Sequence, residues 1–111
     1  MEGNKNPHLI YQANAIGKSS KTVQEFLEKN YENAMMIKLR RHSLTCHQQM
    51  PIEVLYTGEI IGDYYADILV ENTVILELKA AKSIAEEHEA QLINYLKATS
   101  IEVGLLLNFW I

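Results

Sequence analysis

From Tyr64 the chain reads Tyr64-Tyr65-Ala66-Asp67-Ile68-Leu69-Val70-Glu71-Asn72-Thr73-Val74-Ile75-Leu76-Glu77-Leu78-Lys79-Ala80. Two runs rich in Ile, Leu and Val flank the polar pair Asn72-Thr73, the pattern of two strands joined by a tight turn. Such a pair is antiparallel. The runs are not uniformly apolar. Asp67 interrupts the first, and Glu77 and Lys79 interrupt the second. Residues two apart share one face of a strand, so Glu77 and Lys79 point together, while Leu76 and Leu78 point the other way into a core. Burying a carboxylate is costly unless a cation or hydrogen bonds compensate. A register that sets Asp67 beside Glu77 brings two like charges together, and a divalent metal is the natural compensator. Taken by itself, Glu-x-Lys on a strand is usually a weak surface ion pair.

Working toward the N-terminus, the first of these strands is expected over Ile60–Glu71, preceded by a turn at Gly58-Glu59. Before that, Ile52, Val54 and Tyr56 alternate with Glu53, Leu55 and Thr57, which predicts another strand beginning after Pro51. Val23, Phe26, Leu27, Tyr31, Ala34, Met35, Ile37 and Leu39 recur mostly at steps of three and four, which predicts an amphipathic helix over residues 21–42. Ser20 or Thr22 suits its N-cap, and Arg40 and Arg41 suit its C-terminal dipole. Residues 1–19 are polar and predicted to be loosely structured, with a short helix near residues 8–16. Toward the C-terminus, Ile84, His88, Gln91, Leu92, Tyr95 and Leu96 predict a helix over 83–99, with Ser83 as N-cap. The nearly wholly apolar Ile101–Phe109 reads as a strand buried on both faces.

The order is α-β-β-β-α-β. The third strand, second helix and fourth strand form a right-handed β-α-β unit, which makes those two strands parallel. The expected fold class is therefore α/β, a mixed sheet flanked by helices, in one domain over 20–111. The length of 111 residues supports one domain with a core that needs no disulfide. Apolar residues form 48% and charged residues 22%, which excludes a disordered or fibrous chain. Ten basic against 14 acidic residues give a net charge of -4, which excludes an all-over cationic surface but not a local basic groove. Lys38, Arg40, Arg41 and Lys82 are candidates for such a rim. The single cysteine, Cys46, favours a reducing compartment. There is no apolar leader near Met1, and the longest apolar run, Val103–Ile111, is too short to span a bilayer. A cytoplasmic protein with no membrane association is expected.

Asp67, followed after nine residues by Glu77-Leu78-Lys79 and then by a helix carrying Gln91 and Tyr95, resembles the PD-(D/E)XK nuclease superfamily. The element order resembles its restriction-endonuclease-like core. Within it, the segments Tyr64–Glu71, Val74–Ala80, His88–Leu96 and Val103–Phe109 are similar to the small GxxExxY family. The likeness covers about residues 24–110. The family's name-giving motif falls on Glu25-Phe26-Leu27-Glu28-Lys29-Asn30-Tyr31, with Glu28 and Tyr31 matching and Glu25 in the glycine position. Relatives usually continue past the last strand, where this sequence ends at Ile111.

The resemblance implies a Mg²⁺-dependent (or Mn²⁺-dependent) nuclease acting on DNA or RNA. It implies that Asp67 and Glu77 ligate the metal with the Leu78 carbonyl, oxygen donors that suit hard cations. It also implies that Lys79 positions water and stabilises charge on the phosphate, and that Glu28 reaches the metal directly or through water. Gln91 would orient substrate or Lys79, and Tyr95 and His88 would line the substrate. Plainer readings stand beside these: a solvated face for Glu28, an interface residue for Gln91, core aromatics for Tyr31 and Tyr95, a cap for His88. A catalytically silent nucleic-acid-binding or assembly protein on the same fold is the alternative function, and a pure interaction module is a third. A homodimer is compatible with a nuclease that cuts both strands, with Phe109, Trp110 and Ile111 as the candidate edge.

Overall fold

The computed structural model describes residues 20–109, with side chains from Val23 onward. Helix α1 spans Ser20–Arg41, strand β1 Cys46–Tyr56, β2 Glu59–Val70 and β3 Val74–Lys79. Helix α2 spans Glu86–Ala98 and strand β4 Val103–Asn108. The sheet order is β1-β2-β3-β4; β1, β2 and β3 are antiparallel neighbours, and β4 is parallel to β3. The expected α-β-β-β-α-β order and mixed sheet are what the chain forms. The loose segment over 1–19, its short helix, the side chains of Ser20 and Thr22, and Trp110 and Ile111 lie outside the described residues.

Each face of the sheet buries its own apolar cluster. On one side Met36 of α1 packs with Ile68, Val70, Leu76 and Leu78, joined by Tyr31, Met35 and Leu39. On the other side Leu92 and Tyr95 of α2 pack with Ile52, Ala66, Leu69 and Ile75. Met36 is the buried centre of α1, whereas Phe26 and Ile37 of the predicted stripe are exposed. A helix presents a wider arc than the core needs, so the stripe alone does not identify its centre.

Several boundaries differ from expectation. Strand β1 starts at Cys46 and runs through Pro51. It is an edge strand, where a missing N–H is tolerated. The hairpin turn falls on Thr57-Gly58 rather than Gly58-Glu59, since Tyr56 pairs with Glu59. Both turn residues have positive φ (48° and 84°), the hairpin geometry that matches strand twist. The next turn begins at Glu71, with Glu71 and Asn72 both left-handed. Helix α2 begins after Ala85, not Ser83. The N–H of Ala85 donates to Nδ1 of His88 at 3.1 Å, so the imidazole closes the first turn. Strand β4 is not buried on both faces: it is the other edge strand, and Val103 and Leu105 are exposed. Phe109 is no free edge either, because its ring stacks on Tyr31 at 4.7 Å.

One irregularity positions everything that follows. Gln48 pairs with Ile68 and Met50 with Ala66, so Gln49 and Asp67 face each other between these pairs. At that point both strands swap faces. Cys46, Ile68 and Val70 pack toward α1, whereas Met50, Ile52 and Ala66 pack toward α2. The left-handed φ of Gln49 (58°) accomplishes the change on β1. Because Ile75 is fully buried among α2 contacts, Ile75→Ala is expected to lower the unfolding free energy by about 2–5 kcal/mol. The exposed Ile37→Ala should change it by less than about 0.5 kcal/mol. Urea denaturation of the two variants measures both.

Candidate active site

Strands β2 and β3 pair only from Ile68 with Leu76 to Val70 with Val74. Beyond Ile68 they separate, and two carboxylates take over the hydrogen bonding. The N–H of Asp67 donates to Oε2 of Glu77 at 2.8 Å, and the N–H of Leu78 donates to Oδ2 of Asp67 at 2.8 Å. Each acid is thus tied to the main chain of the other's strand. Glu77 is only 4% exposed. Lys79 is half-buried two residues on, and its positive charge partly offsets both acids.

The electrostatics follow from burial and crowding. Burial is the main reason that Asp67 sits above the usual carboxylate range, with the charges of Glu32 and Glu28 adding to it against the Leu78 N–H bond. Burial, and next the neighbouring charge of Asp67, push Glu77 up to about 8. Desolvation and like charge act in the same direction on both acids.

Helix α1 brings two further carboxylates. Oε2 of Glu28 accepts from the N–H of Ala80 at 2.9 Å and from Nε2 of Gln24 at 2.9 Å, which docks the helix on the end of β3. Glu32, one turn on, is 4% exposed and was not singled out by the sequence. It accepts from Nε2 of Gln48 at 2.6 Å, from Nε2 of Gln49 at 3.0 Å and from Nζ of Lys29 at 3.3 Å. The signal for it lay in the adjacent amides Gln48-Gln49, which read as loop while β1 was expected to start after Pro51.

Helix α2 supplies Gln91 and Tyr95. Nε2 of Gln91 donates to the Tyr95 hydroxyl at 2.6 Å. Tyr95 is buried, and burial followed by the charge of Glu77 pushes its hydroxyl up to about 12. His88 is engaged at the helix start, as described above. Lys38, Arg40, Arg41 and Lys82 are exposed. Among the described residues no three His, Cys, Asp or Glu side chains are arranged to hold a metal, and this covers Asp67 and Glu77 with Glu28 or Glu32, so Glu28 is not placed as a third side-chain ligand.

A family model of the PD-(D/E)XK nuclease superfamily matches residues 9–111. The chain belongs to the PD-(D/E)XK nuclease superfamily. No curated protein and no solved structure matches it. The mixed four-stranded sheet and two helices of this nuclease-family chain conform to a restriction-endonuclease-like fold. PD-(D/E)XK nucleases generally use divalent metals, and the donors present fit one. Asp67 and Glu77 are adjacent and desolvated, the charge of Asp67 raises Glu77, and both offer oxygen donors. Among the described residues no helix is long and apolar enough to cross a membrane.

Two outcomes are expected. Glu77 is neutral in the folded protein up to about pH 8 but ionises near 4.5 once unfolded. Its stabilising contribution is therefore complete at low pH and lost progressively as pH rises from about 4.5 to about 8. Urea titrations in chelator across that window should show falling stability for the wild type and a flatter profile for Glu77→Gln. Separately, Glu32→Leu strips the Gln48 and Gln49 amides of their acceptor and should cost about 1–3 kcal/mol by the same measurement.

Proposed function

We propose that the protein is a Mg²⁺-dependent (or Mn²⁺-dependent) nuclease that hydrolyses phosphodiester bonds in DNA or RNA. The observation that carries this reading is the exchange of hydrogen bonds that sets Asp67 against Glu77, with Lys79 following on the same strand. Asp67, Glu77 and the Leu78 carbonyl would hold the ion. When bound, such an ion supplies Lewis-acid polarisation of the phosphodiester and activation of water.

The chain's own groups do the rest. Lys79 stabilises the negative charge that builds on the phosphoryl oxygens and helps orient the attacking water. As the water oxygen bonds to phosphorus, the opposite ester P–O bond breaks; the attacking water gives up a proton to solvent and the departing oxygen takes one up from it. Glu28 holds the end of β3, and with it Lys79, through the Ala80 N–H. Gln91 fixes the Tyr95 hydroxyl beside the acids and thereby presents α2 to the substrate. His88 sets the first turn of that helix and reaches substrate from there. Membership of the GxxExxY family is supported by Glu28 and Tyr31, since both are engaged in docking α1 onto the sheet.

Cleavage of labelled DNA and RNA, single- and double-stranded, with Mg²⁺ or Mn²⁺ tests the reading. Asp67→Asn, Glu77→Gln and Lys79→Ala should each lower the rate on the order of a hundredfold or more, and chelator should abolish it. Activity that persists in chelator or in Asp67→Asn overturns the assignment. Nucleic acid bound without turnover, together with no heat on titration with Mn²⁺, is the outcome of the silent-binder alternative.

A further inference from the structure

A cleft of about 800 Å³ lies between α2 and the arm of the β1–β2 hairpin that extends past the Gln49–Asp67 irregularity. Asp67, Glu77 and Lys79 do not line it, and the reading above makes no use of it. Its wall carries the Tyr64 ring, about half exposed, tilted against Tyr95 with ring centres 6.0 Å apart. Opposite stand the side-chain amides of Gln91 and Asn94. Gln91 spends an N–H on Tyr95, which leaves its carbonyl oxygen as an acceptor. The Asn94 side chain is exposed and has no hydrogen-bond partner among the described residues. The charged groups lining the cleft are Glu53, Glu87 and Lys97, so acids outnumber bases.

That set of groups selects its occupant. With more carboxylates than cations, the cleft repels a phosphate. A flat aromatic face, two amides and acceptor carboxylates suit a planar heterocycle with exocyclic amino and carbonyl groups. The cleft also meets the acid pair through a shared residue: Tyr95 lines it, while the Glu77 charge bears on the Tyr95 hydroxyl. We propose that the cleft receives one unpaired nucleobase of the substrate strand, stacked on Tyr64 and read by Gln91 and Asn94, with the adjoining phosphate directed toward Asp67 and Glu77. The class of occupant rests on the nuclease reading. The consequence is a preference for single-stranded or locally unpaired substrate.

Gly62 is part of the same device. A Cβ there would come within 2.6 Å of the Tyr64 ring, so Gly62→Ala must displace the ring. The displaced atoms are the far edge of a half-exposed side chain, so the fold accommodates the change.

The test is binding in chelator, so that no cleavage enters. A short oligodeoxycytidylate, whose bases carry both an exocyclic amino group and a carbonyl, is compared with an abasic strand of equal length, which carries the same phosphates and no bases. The wild-type protein should bind the oligodeoxycytidylate about tenfold more tightly. Tyr64→Ala and Gly62→Ala should remove most of that difference, and Asp67→Asn should keep it. Equal affinity for the two strands, or no binding of either, overturns the proposal, as does a preference that survives Tyr64→Ala. The two readings fail separately: a protein that cleaves but ignores bases refutes only the cleft, and one that discriminates bases but never cleaves refutes only the nuclease.

Discussion

The structure depends on a substitution of side chain for main chain. Where β2 and β3 part, Glu77 accepts the Asp67 N–H and Asp67 accepts the Leu78 N–H. Peptide groups that would otherwise be stranded at a splitting ladder are satisfied. The partners are carboxylates, so the same two bonds that seal the split fix two acids side by side in a partly dry place. Each bond ties one acid to the main chain of the other's strand, which is why the pair is held together.

The fold around this point can be traced to the face swap at Gln49 and Asp67. Without it, the alternation that buries Ile68 and Val70 against α1 would carry Ala66 to the same side. With it, the distal arm packs on α2, and Tyr64 reaches Tyr95. The swap also explains why Gln48 and Gln49, adjacent in sequence, both reach Glu32: the left-handed backbone of Gln49 itself cancels the usual alternation. An isolated glutamate on α1 thereby becomes a buried group with amide donors rather than a solvated one.

Much of this was legible in advance, and the reasons are physical. Apolar periodicity located both helices and the β2–β3 hairpin, because burial of one face leaves a mark at every second or fourth residue. Asp67, Glu77 and Lys79 stood out because polar residues in a strand interior require compensation. The pairing partner of Asp67 did not follow from the turn: a two-residue turn at Asn72-Thr73 would set Asp67 opposite Leu78, and the left-handed Glu71 lengthens the turn by one residue and brings Glu77 opposite instead. What could not be read was set by long-range context. Cys46–Gln49 carry no strand alternation, because their partners are Glu32 on a helix and an irregular register. The apolar β4 resembled a central strand, although it lies at an edge with Val103 and Leu105 exposed. Ser83 looked like a better cap than Ala85, since the side chain that closes the turn, His88, lies inside the helix. Glu32 was masked by its charged neighbours Glu25, Glu28 and Lys29, and only tertiary packing separates it from them.

The acid cluster sits between two apolar layers, and that placement couples function to stability. Ile75 and Leu69 on one side, and Leu76, Leu78 and Met36 on the other, exclude water from the sheet that carries Asp67 and Glu77. The same exclusion raises both acids above their ordinary range and strengthens whatever cation–carboxylate attraction forms there. A more exposed pair would be easier to fold and poorer at gripping an ion. A wholly apolar pair would fold better still and grip nothing. The sheet can tolerate the intermediate state because Lys79 and two peptide N–H groups offset part of the cost of burying the acids. That balance of burial, like charge and partial compensation, rather than the geometry of any single residue, is what sets the character of the acid pair.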